Sequence, residues 1–141
     1  MVSSAVLPGR SALSQVAKIQ HPVPQGSAGK IKIREAAFHD LINLRCQPDN
    51  KMANAMIKKL TSHNLPSANQ LAQAGDRSVI WLGPDEWLIM VEAGAANTIM
   101  ADIETANLGH VATTEVSNAY GILTVNGKPS RQMLAKHCAI D

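Results

Sequence analysis

Between residues 78 and 92 the apolar side chains run almost without a break, interrupted only at Gly83-Pro84-Asp85-Glu86. Segments that are apolar on both faces mark strands inside a sheet rather than at its edge. The pattern therefore predicts a hairpin of two central strands, 78–83 and 87–92. Pro84 suits the first central turn position, where its fixed φ is wanted, and Asp85 suits the second. Upstream, Ile31 and Ile33 alternate with Lys32 and Arg34. In "HDLINLRCQ", Ile42, Leu44 and Cys46 alternate with Leu41, Asn43 and Arg45. Each stretch predicts a short strand. Pro48-Asp49-Asn50 breaks the second strand and offers a helix cap. A helix over 51–63 follows, with Met52, Met56 and Leu60 at i, i+4 and i+8, and with Ala53 and Ile57 widening the stripe. Residues 64–76 are expected as a loop with at most a short helical turn. A second helix begins at Gly94 with Ala96, Ile99, Met100, Ile103 and Ala106 on one face, and Gly109 closes it as a left-handed cap. Residues 110–125 predict one long strand, or two joined by a bend near Ser117-Asn118. Gly127-Lys128-Pro129 then introduces a third helix with Pro129 at its first position.

From residue 39 the order is strand, helix, strand, strand, helix, strand. That is the split βαβ or ferredoxin-like α+β arrangement, an antiparallel sheet with both helices on one face. A further strand and helix begin near residue 119. The expected organisation is an extended arm at 1–30, rich in Ser, Gly, Pro and Ala and without periodicity; a ferredoxin-like domain at 31–118; and the start of a second βα unit at 119–141.

Composition narrows the function classes. With 141 residues the chain supports one domain with a modest core, or one domain plus a fragment of another. Charged residues make up only 17%, so a partner is expected to cover part of the surface. The net charge is +2 and Lys and Arg are scattered along the chain, which gives nucleic-acid binding little to work with. No apolar run reaches the ~18–20 residues that span a bilayer. The N-terminus lacks an apolar core followed by a cleavage site. Residues 1–34 contain no acid and carry Arg10, Lys18, Lys30, Lys32 and Arg34, a composition that suits a transit peptide and a flexible arm equally. Cys46 and Cys138 form no CxxC pair and read as buried small hydrophobes in a reducing compartment, consistent with a cytoplasmic location.

No candidate chemistry assembles into an active site. Asp85 and Glu86 are adjacent carboxylates, but neighbours in a turn point apart, which suits a solvated turn better than an acid–base pair. His21, His39, His63, His110 and His137 lack metal-ligand spacing. Ser117 and Ser130 have no neighbouring base to activate them. The glycine turns match no phosphate cradle. Trp81 and Trp87 read as core or interface. Catalytic, cofactor-binding and metal residues are therefore all expected to be absent.

The motif "WLGPDEWLIM", preceded by "INLRCQPDN" and followed by "TTEVSNAYGILTVNGKPSRQMLAKHCAID", resembles the gamma subunit of heterotetrameric sarcosine oxidase. The resemblance rests on Asn43, Leu44 and Arg45; on Trp81, Leu82, Gly83, Pro84, Asp85, Glu86, Trp87 and Leu88; and on Ser117, Ala119, Gly127, Leu134, Ala135, Lys136, Cys138 and Asp141. It covers essentially the whole chain. Cys46 stands where the family has glycine, Lys128-Pro129 reads as a swapped Gly-Pro-Lys order, and the family's chains continue past the position of Asp141, so this one is expected to be C-terminally short. The resemblance implies an aminomethyltransferase-like, folate-binding-like fold on a subunit with no cofactor of its own. It also implies alpha, beta and delta partners that carry FAD, FMN, NAD, folate and zinc and oxidise sarcosine to glycine. The hairpin 81–88 is then expected to serve structure or assembly.

Two other readings stand beside it. A free-standing folate- or small-ligand-binding module would need an acid for the pterin, for which Asp85, Glu86 and Glu115 are the nominees. A regulatory ferredoxin-like domain would bind an amino acid, but its usual glycine-rich junction is here Gln47-Pro48-Asp49-Asn50.

Overall fold

In the computed structural model, residues 11, 13–14, 31–36 and 38–138 are described. The arm expected at 1–30 lies almost entirely outside them, as does Asp141. The described residues form two compact units, one of residues 38–120 and one that joins those before 38 to those after 120.

The alternation at 39–46 produces strand β2 (His39–Cys46), the second strand in from one edge of the sheet of the larger unit. It pairs antiparallel with β5 (Glu86–Glu92) on one side and with β6 (Val111–Glu115) on the other. β5 pairs with β4 (Arg77–Gly83), and β4 with β3 (Leu71–Ala74). The sheet order is β3-β4-β5-β2-β6. Helices α1 (Lys51–Thr61) and α2 (Ala96–Thr105) occupy the crossovers from β2 to the β3–β4 hairpin and from β5 to β6. Without β3, this is the predicted ferredoxin-like order, an α+β fold.

β3 corrects the expected loop at 64–76. Gly75, with φ +58, takes the first position of a two-residue turn, where a type II′ hairpin needs glycine. β3 covers the edge that β4 would otherwise present, which is how β4 becomes the central strand its apolar pattern demands. Register places Ile42, Ile89, Val79 and Ala72 side by side, and all four are buried against Ala53 and Ile57 of α1 and Ile99 and Ile103 of α2.

Helix ends follow local chemistry. Asn50 accepts from the Met52 and Ala53 amides at 3.0 Å and caps α1 as expected. α2 has no capping side chain of its own; Asp40, on β2, accepts from Ala96 N at 3.0 Å instead. Gly109 has φ +79 but lies beyond the end of α2, and the first left-handed residue after the helix is Asn107. Ser117–Ala119 form a 3₁₀ turn, so the segment 110–125 is two strands, the second being β7 (Leu123–Asn126).

β7 belongs to the smaller unit. There it pairs with β1 (Lys32–Glu35) in a two-stranded antiparallel ribbon, followed by helix α3 (Ser130–His137). Pro129 is the N-cap residue of α3 rather than its first helical residue. The strand predicted at 31–34 therefore does not join the ferredoxin-like sheet, whose unit runs from 38 to 120 rather than from 31 to 118. The pairing partner of β1 lies some ninety residues downstream, a distance no local pattern reveals.

Candidate functional site

The two motifs that stand out in the sequence, Asn43-Leu44-Arg45 and Trp81 to Leu88, meet in space. Antiparallel pairing sets Leu44 opposite Trp87 and Arg45 opposite Glu86. Residues two apart on a strand share a face, so Asn43 and Arg45 reach the hairpin turn together. Asn43 Nδ2 donates to Glu86 Oε1 at 2.7 Å, and Arg45 Nη2 donates to Asp85 Oδ2 at 2.8 Å. The Cys46 amide donates to the Asp85 carbonyl at 3.1 Å. Neither Pro84 nor Asp85 has positive φ, and a register shift between Trp81 and Gly83 fits this turn to the twisted strands.

On the helix-covered face, Trp87 is 2% exposed, and its indole N–H donates to the carbonyl of Pro66 at 2.9 Å. Trp81 lies opposite Trp87 in the register and is only partly buried against the same core. Leu82 is exposed and Leu88 half-buried.

The electrostatics are structural in character. Arg45 holds the Asp85 carboxyl below its usual range by hydrogen bonding and charge. Burial, with a smaller push from Asp85, raises the Cys46 thiol, so this cysteine stays protonated rather than becoming a thiolate nucleophile. At the other end of the hairpin Arg77 forks onto Glu92, Nε donating to Oε2 at 3.0 Å and Nη2 to Oε1, and the Glu92 carboxyl is held down to about 2. A depressed carboxylate stabilises the fold above its unfolded pKa, and that contribution is lost as pH falls through the folded value. Arg77→Gln is expected to return Glu92 toward 4.5 in an NMR titration. The variant's stability deficit should be present at neutral pH and vanish near pH ~2. A Glu92 pKa unchanged by the substitution would sink the assignment.

Ser117 closes the β2–β6 edge: its hydroxyl accepts from the Leu41 amide at 3.0 Å and donates to Glu115 Oε1 at 2.9 Å. The three acids nominated for a pterin are thus each engaged within the chain, Asp85 by Arg45, Glu86 by Asn43 and Glu115 by Ser117. Gly127 (φ +132) turns the chain into α3, where its carbonyl accepts from the Ser130 amide and hydroxyl. Lys136 is exposed on α3, and Cys138 just after it is exposed as well, so of the two cysteines expected to be buried only Cys46 is. An open groove of about 370 Å³ at the hairpin tip is lined by Arg45, Cys46, Asp85 and His110 among others. Among the described residues no three His, Cys, Asp or Glu side chains cluster as metal ligands, and no helix is long and apolar enough to cross a membrane. Sequence reasoning missed the Asp40 cap of α2 and the links from Asn43 and Arg45 to the turn. The i, i+2 spacing of two polar residues on an otherwise apolar strand was the available signal for the second.

Comparison with known proteins follows the same segments. Residues 46–141 match the model of the sarcosine oxidase, gamma subunit family (SoxG). The sarcosine oxidase subunit gamma of Corynebacterium sp. (strain U-96) is 28% identical over 137 residues, covering 94% of this chain and 64% of the relative. The subunit gamma of Arthrobacter sp. is 28% identical over 120 residues, covering 83% and 58%. A chain of heterotetrameric sarcosine oxidase from Corynebacterium sp. U-96, solved in complex with pyrrole 2-carboxylate, superposes with a TM-score of 0.64 at 27% identity over 79% of this chain and 57% of that one. This chain therefore spans about three fifths of the length of these relatives. With a family match over more than half its length and the same fold in a solved relative, the chain belongs to the sarcosine oxidase gamma subunit family.

Proposed function

We propose that the chain is a non-catalytic subunit of a sarcosine oxidase complex, holding structure and assembly while alpha, beta and delta subunits carry the flavins, NAD, folate and zinc and oxidise sarcosine to glycine. One observation carries the reading. The polar groups of the signature motifs are spent on the fold itself: Asp85 on Arg45, Glu86 on Asn43, the Trp87 indole on Pro66, and Ser117 on Leu41 and Glu115. Pairs of this kind tie the turn, and the 3₁₀ turn after β6, to β2, a structural use that accounts for these residue types standing together. Beside the half-exposed Asp85, the hairpin also leaves apolar surface toward solvent, Leu82 and part of Trp81, a mixture that suits a protein contact.

The test is co-expression of this chain with the other three polypeptides from its own genome, followed by purification through a tag on this chain. Retention of all three with flavin absorption is the expected result. Recovery of a colourless chain without partners would overturn the reading. Trp81→Ala in the same system should lower the yield of complex while the isolated chain keeps its circular dichroism spectrum.

A further inference from the structure

We draw no further inference here: the strongest candidate, the face of the five-stranded sheet turned away from α1 and α2, where Ile80, Leu88 and Met90 lie half-buried beside the exposed Leu71, carries nothing because nothing in the structure shows what covers it.

Discussion

Trp87→Ala is expected to destabilise the chain by roughly 3–5 kcal/mol, the range for removing a large aromatic from a core that cannot collapse around the gap. Trp87 is 2% exposed and sits among Leu44 and Ile89, with β4 and β2 fixed on either side by the ladder. For a chain of this size each kcal/mol moves the melting temperature by roughly 3 °C, so the loss should read on the order of 10 °C. Trp81→Ala should cost markedly less, because its side chain is only partly withdrawn from water. Trp87→Phe separates the two contributions of the indole. It keeps most of the apolar area but leaves the buried Pro66 carbonyl without its donor, a cost of about 1–3 kcal/mol. Equal losses for Trp81→Ala and Trp87→Ala in thermal or urea unfolding would contradict the assignment of the two rings to different depths.

The contrast between the tryptophans marks where local pattern carries information and where it stops. The hairpin is legible because strand period, a Pro-Asp turn and bulky apolar runs agree at one place. Asn50 is legible as a cap because capping is settled within a few residues. β3 is not, since Leu71–Ala74 is only four residues long and two of them are small alanines of low strand preference; the glycine-aspartate pair at 75–76 was the overlooked hairpin signal. The assignment of β1 to β7, and the clustering of Lys32 and Arg34 with Lys128 and Arg131, both arise from joining the two ends of the chain. Cations that look scattered in sequence are thereby gathered in space. The meeting of Asn43 and Arg45 with Glu86 and Asp85 has the same origin: each motif is visible alone, and only register brings them together.

The face of α1 shows how a correct helix can still be rotated. The i, i+4, i+8 row of Met52, Met56 and Leu60 is the most apolar stripe, yet the buried residues are Ala53, Ile57 and Thr61, one position further on. Met52 is 53% exposed, while Met56 and Leu60 pack at the margin of the core. The cap explains part of the rotation. Asn50 anchors the first turn through the Met52 and Ala53 amides and donates to the Leu108 carbonyl at 2.9 Å, which fixes how the helix enters. At the last turn Thr61 is buried without penalty because its hydroxyl donates to the Ile57 carbonyl at 3.0 Å. Ile57→Ala should therefore cost about 2–5 kcal/mol, since Ile57 is 1% exposed and faces the central strands. Met52→Ala, on the stripe the sequence favours, should stay within about 0.5 kcal/mol of wild type. Urea unfolding of the two variants decides between the faces. A larger loss at Met52 than at Ile57 would mean that α1 meets the sheet through its methionine stripe, and that the core drawn around Ile42, Val79 and Ile89 is wrong on its helical side.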